Sequence, residues 1–316
     1  MQQFLNQLLA YAESLPGSVN LGIIWGLMAL GVFITYKVLD VADLTVDGSF
    51  AMGGIVCAVF LKNGGNFAVG LLLGFVAGVL CGLVTGLLHT LLGIPPILAG
   101  ILTQLACWSI NLKIASGAAN ISVNARTTLV LVSQLDKYNA LWILFLAVAI
   151  IVALLYLFFG TQLGASIRAT GNNQKMARAQ GINTKFNIVL GLMISNGIVA
   201  LAGALLTQYQ GFADINMGRG AIVIGLCSVV IGHAIFSKIS PNFGLRMAAV
   251  VVGGIIYYVI FSTVVFIGMD TDFLKMLAAV VVAIFLGVPY IKSHYYAEFK
   301  QRLANRKMKK NQDVEG

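Results

Sequence analysis

Acidic residues are scarce in this chain, yet three of them crowd one short stretch: Asp40, Asp43 and Asp47, spaced i, i+3 and i+7. That spacing would align them on one face if the stretch were helical. A second polar stretch carries Asp214, Asn216 and Arg219. Both stretches contain Ala-Asp, a branched aliphatic residue, a small polar residue, an apolar residue and then glycine, with Asp214 standing 171 positions after Asp43. Each leads into a short apolar run, Phe50–Leu61 and Ala221–Phe236. A charged side chain at bilayer depth costs about 2.5–3.5 kcal/mol on insertion scales, so it persists there beside water, a partner charge or another protein surface. The chemistry open to these residues is that of a solute path. Asp43, Thr45, Asp47 and Ser49 would line it from one side, and Asp214, Asn216 and Arg219 from the other. The half-helix N-termini near Ser49 and Arg219 would favour a substrate carboxylate. The plain alternative is that both stretches are solvated loops.

The elements that must position these residues follow from composition. Of 316 residues, 59% are hydrophobic and only 10% charged, and mean hydropathy is +0.92. Soluble domains carry about 25% charged residues. A water-soluble enzyme, a nucleic-acid binder and a disordered chain are therefore excluded. What remains is an all-α polytopic membrane protein embedded in lipid. Seven longer runs suit a membrane span: Val19–Thr35, Phe67–Leu92, Ile97–Leu112, Leu141–Phe159, Phe186–Leu206, Met247–Ile267 and Met276–Ile291. With the two short runs the expected count is nine. The short pair, one approached from each side, has the form of an inverted repeat with two interrupted helices. Glycines at 70, 74, 78, 82 and 86 put a smooth face on one span, which reads as a helix-packing surface.

Orientation follows from the cations. Lys37, the loop 161–185, the next loop and the tail place 14 of the 20 basic residues on one side under nine spans. The positive-inside rule sets the C-terminus in the cytoplasm and the N-terminus outside. Residues 1–17 lack the pattern of a cleavable signal and read as an amphipathic helix on the outer surface. Residues 18–291 form the membrane domain, and 292–316 a basic cytoplasmic tail.

Several chemistries are missing. No G-x-x-x-x-G-K-[ST] segment is present, nor H-E-x-x-H or G-x-S-x-G. Cys57, Cys81, Cys107 and Cys227 all lie in apolar runs and read as inert core residues, without a metal site. His233 sits within a span, where a functional role is open.

The loop 161–185 carries four bases and no acid. Its pattern (Gly, short helix, Gly-x-Asn, short helix, Gly-Ile) reads as ordered, either a docking surface for an acidic partner or an inside anchor. The run Gly164-x3-Arg168-Ala169-x-Gly171-x-Asn173-x3-Ala177-x3-Gly181-Ile182 resembles the cytoplasmic coupling loop of permease subunits in the branched-chain amino acid and ribose class of ABC importers. Asp43-Leu44-Thr45-Val46 followed by Gly48-Ser49 is similar to the D-L-S-V-G-S segment of the sugar members, and Gly82-x-x-Thr85-Gly86 to their next helix. Asp47 is an extra residue in that segment, and Gly232-His233 stands where the class has Gly-Gly; both departures point away from sugar cargo. Within the class the chain is most similar to bacterial permeases labelled as tryptophan/tyrosine-type or uncharacterised.

The resemblance implies a type II importer fold in a bacterial cytoplasmic membrane. Two permeases, as a homodimer, would surround the path, with two ATPase subunits beneath and an extracytoplasmic substrate-binding protein above. Gly164, Arg168, Ala169, Gly171, Asn173, Ala177 and Gly181 would form the loop that sits on the ATPase. No cofactor is implied on this chain, ATP and Mg belonging to the ATPase. The cargo would be a small amino-acid-type solute, with a ribose-type sugar as the alternative. An ion-gradient secondary transporter using the Asp residues, or a non-transport scaffold, are the readings of other classes.

Overall fold

The computed structural model describes residues 2–123, 130–236 and 242–267, with isolated positions between 276 and 287. The chain begins with α1 (Gln2–Phe33), which passes through a π-helical turn, Ile34–Val38, into a non-helical break at 39–45. Then come α2 (Val46–Lys62), α3 (Phe67–Thr90), α4 (Pro96–Ile114) and α5 (Lys137–Gly160). Two short helices, α6 (Gln162–Asn172) and α7 (Gln174–Ala179), precede α8 (Thr184–Gln210). A second break leads to α9 (Ala221–Phe236) and α10 (Phe243–Phe266). An antiparallel ladder joins β1 (Asn120–Ser122) to β2 (Phe212–Asp214), with Ile121 opposite Ala213.

Among the described residues, six helices are long and apolar enough to cross a bilayer. The two short runs are α2 and α9, of 17 and 16 residues, and each begins at a break. Eight of the nine expected spans thus coincide with helices, while Met276–Ile291 lies largely outside the described residues and the tail 292–316 wholly so. Residues 2–17 are continuous with the first span and are not a separate helix. The helix runs on from Gln2 to Phe33 with Pro16 inside it. Extending an existing helix is cheap, and tertiary contact draws this one inward. The Tyr11 hydroxyl lies 2.6 Å from Thr263 Oγ1, and its ring packs 4.8 Å from that of Phe266.

Glycine sets how closely the helices meet. In α3 the residues Gly70, Gly74, Gly78, Gly82 and Gly86 are all buried, while Leu72, Val76, Leu80 and Val84 point outward. A Cβ at Gly78 or Gly82 would strike the α8 backbone at Asn196 and Leu192. The same arrangement recurs between α1 and α10, where a Cβ at Gly22 would come within 2.7 Å of Ile255 Cα and one at Gly26 within 2.9 Å of the Val251 carbonyl. Long helix α1 therefore packs on the second helix after the later break, and α8 on the second helix after the earlier one. This exchange is the packing expected of an inverted repeat. The outer helix α5 has only 17% of its apolar window buried, which fits a lipid-facing surface.

Candidate functional site

The first break is held by a chain of buried polar groups. Asp43, 3% exposed, accepts from the Thr45 N–H through Oδ1 at 2.9 Å and from Asn196 Nδ2 through Oδ2 at 2.7 Å. Asn196 Oδ1 accepts from Ser49 Oγ at 2.8 Å. On the other flank Thr45 Oγ1 lies 2.7 Å from Thr85 Oγ1, which donates to Thr103 Oγ1 at 2.8 Å. Burying a carboxylate is costly unless its hydrogen bonds are met, and here both oxygens are engaged. Asn196 falls near the middle of α8, so the break sits midway along that helix. Asp43, Thr45 and Ser49 thus lie inside a single chain and not on an open wall.

Because 39–45 is not helical, Asp40, Asp43 and Asp47 do not share a face. Asp40 takes a left-handed conformation, φ 55°, and lines a separate cleft of about 600 Å³ with Lys37, Arg168, His233 and Arg246. Asp43 turns inward. Asp47 reaches the second break.

There Asp47 receives the Gly220 N–H at 2.9 Å and the Ile222 N–H at 3.0 Å. These are donors at the start of α9 that no carbonyl within the helix could satisfy, and a carboxylate at a helix N-terminus is also favoured by the helix dipole. The expectation that this N-terminus stands open for a substrate carboxylate is corrected: the two N–H groups are capped from within the chain. Gly218 allows the approach, since a Cβ there would strike the Asp47 carbonyl. Asp214 is half-buried and closes a turn by accepting from the Asn216 N–H at 2.6 Å. Asn216 and Arg219 are exposed. A cleft of about 290 Å³ between α2, α4 and this break gathers Asp47, Gln104, Trp108, Asn111, Ile215 and Arg219.

The loop 161–185 folds as its pattern suggests. Thr161 Oγ1 accepts from the Gly164 N–H at 3.3 Å and caps α6; Asn173 Oδ1 accepts from the N–H groups of Lys175 and Met176, both at 3.0 Å, and caps α7. Gly181, at φ 77°, ends that turn, and Asn183 caps α8. Ile167 and Ala177 are buried anchors, and Asn187 of α8 ties down α6 through Ser166 and Thr170. Gly171 meets the backbone at the end of the π turn, where a Cβ would collide with the Val38 carbonyl. Ala169 is half-buried, and Arg168 stands with its guanidinium 5.5 Å from the centre of the Phe243 ring. Lys175, Met176 and Arg178 of α7 are exposed.

Sequence reasoning missed Asn196, Thr103, Gln104 and Asn111. A signal was present for three of them: Gln104, Asn111 and Asn196 are amides inside apolar runs, where polar groups are expensive.

Residues 15–288 match the family described as the branched-chain amino acid transport system permease component. A tyrosine transport system permease protein of Clostridioides difficile is 39% identical over 265 residues, covering 84% of this chain and 88% of its own. An uncharacterised protein of Rickettsia prowazekii is 34% identical, covering 82% and 92%. The fructose import permease protein of Bifidobacterium longum is 26% identical over 80% of this chain and 70% of its own. No solved structure matches. With a family match across most of its length, paired helix breaks and an ordered loop beneath the first of them, this multi-pass membrane protein belongs to the branched-chain amino acid transport system permease family, the permease subunits of type II ABC importers.

Proposed function

We propose that this chain is the membrane path of an ATP-driven importer for a small amino-acid-type solute, aromatic amino acids included. Two copies would enclose the path, with an ATPase docked on each loop 161–185 and a binding protein delivering cargo from outside. ATP hydrolysis and its Mg belong to the ATPase. The observation that carries the reading is the seat of Gly171 on Val38. A push on α6 and α7 from below meets backbone directly, with no compressible side chain between, and passes into the first break. Leu39 lies in turn against Gly191 of α8, so the same push reaches both long helices. Arg168, Ala169, Asn173, Ala177 and Gly181 shape or anchor that lever, and Lys175, Met176 and Arg178 form its outer tip. Bistable packed elements of this kind can switch a path between two openings.

The amino-acid cargo is supported by the 39% identity to a tyrosine permease, against 26% for the fructose permease. The test is uptake of labelled tyrosine and of labelled fructose by cells carrying the chain with its ATPase and binding protein. Tyrosine uptake that needs ATP is the expected result, and fructose uptake alone would replace amino acid with sugar. Gly171→Val should abolish uptake while leaving the ATPase bound. Normal uptake by that variant would rule out the lever.

A further inference from the structure

The cleft of about 290 Å³ beside the second break holds an arrangement that the Gly171–Val38 lever does not use. Asp47 and Arg219 both line it, yet among the described residues no carboxylate, Asp47 included, forms an ion pair with Arg219. Opposite charges held apart across one cavity leave room for a ligand that carries both signs. A second, independent observation comes from Asn111. Its side chain is 1% exposed, lines the same cleft, and neither Oδ1 nor Nδ2 has a hydrogen-bond partner. A buried amide left unpaired costs roughly 1–3 kcal/mol, and such a group calls for a partner that comes and goes. Gln104 adds a further amide, and Trp108, 42% exposed, adds an aromatic face on the same helix α4. The volume lies just below the range of about 300–1,000 Å³ for small-molecule sites, enough for a single small ligand.

We infer that this cleft is a contact site for the zwitterionic end of a free amino acid: its carboxylate on Arg219, its ammonium toward Asp47, the Asn111 amide as hydrogen-bond partner and Trp108 beside the side chain. Asp47 can serve while it caps α9, because each carboxylate oxygen has lone pairs beyond the one given to Gly220 or Ile222. A neutral sugar would leave the separated charges unmatched, so the site selects against it. The inference deepens the proposed amino-acid cargo and rests on it.

The experiment uses the purified full chain in detergent, so that binding is read without transport. Tyrosine, tyramine (no carboxylate), N-acetyltyrosine (no ammonium) and fructose are titrated while thermal unfolding and tryptophan fluorescence are followed. Tyrosine should stabilise the chain, and each one-charge analogue should bind at least about tenfold more weakly, as loss of a charge-assisted contact predicts. Arg219→Gln should lose tyrosine binding by a similar factor. Asn111→Leu is the decisive variant. With the orphan amide replaced by an apolar isostere, the ligand-free protein should unfold at the same or a higher temperature, while tyrosine binding weakens. A merely structural asparagine would change stability and leave binding alone. Equal binding of tyrosine and tyramine, unchanged binding by both variants, or no binding by the wild type overturns the site. Uptake separates the two readings: tyrosine transported normally by both variants removes the cleft and leaves the amino-acid importer standing, whereas fructose uptake alone removes the importer reading itself.

Discussion

At the scale of single residues, the centre of the molecule is the hydrogen bond between Asp43 and Asn196, 2.7 Å long and joining positions 153 apart in sequence. The carboxylate offers acceptors only, which is what a backbone N–H on one side and an amide NH₂ on the other require. Asp43→Asn has one acceptor oxygen for two donors and sets its own NH₂ against one of them. A loss of roughly 1–3 kcal/mol is expected, read as a lower unfolding temperature of the purified chain. The exchange Asp43→Asn with Asn196→Asp restores a donor facing an acceptor, and an acceptor for Ser49 Oγ. It should recover part of the loss, because Asn196 Nδ2 also donates to the Leu192 carbonyl at 3.1 Å and an aspartate there cannot; even partial recovery is a coupling that independent sites would not show. A wild-type melting temperature in the single variant would mean that Asp43 does not fasten the break.

At the scale of elements, the glycine stripe of α3 makes the sharpest claim. Gly82 abuts the α8 backbone at Leu192 and cannot yield, because the obstruction is main chain and not the end of a flexible side chain. Gly82→Ala should therefore force α3 and α8 apart at a cost of about 1–3 kcal/mol, in the range of overpacked cores. Gly160→Ala, at the end of α5 with open space around it, is the matched control and should be neutral. Equal stability of the two variants would mean that close backbone approach does not set the α3–α8 distance. This stripe, the apolar runs and the capped turns of the loop 161–185 were all legible in the sequence, because each depends on residues near one another along the chain. What was not legible depends on distant partners. The stretch 39–45 has the acidic spacing of a helix face, but Asn196 pulls Asp43 inward while Asp47 turns to α9, and one helix face cannot serve both. Residues 1–17 have the period of a separate surface helix, yet Tyr11 docks on Thr263 of α10, 252 positions away. The cleft shows the same division. Asp47 and Arg219 were picked out by charge, whereas Gln104 and Asn111 join them only because α4 lies against α2 and the second break.

At the scale of the whole molecule, the helix exchange gives two opposite ends, one holding the loop 161–185 and the other the β1–β2 ladder. Helix α5 separates them, and its 24 residues amount to about 36 Å at 1.5 Å per residue. Which end faces the cytoplasm decides whether an ATPase can reach the lever at all, and the cations argue for the loop end. The assignment can be read chemically, because all four native cysteines are buried and should give little background. Met176→Cys places a thiol at the exposed tip of α7, and Ala118→Cys places one at the exposed turn before β1. A membrane-impermeant maleimide applied to intact spheroplasts should modify position 118 and spare 176, and inverted vesicles should reverse the order. Modification of 176 from outside would turn the molecule over. The loop would then be out of reach of any nucleotide-hydrolysing subunit.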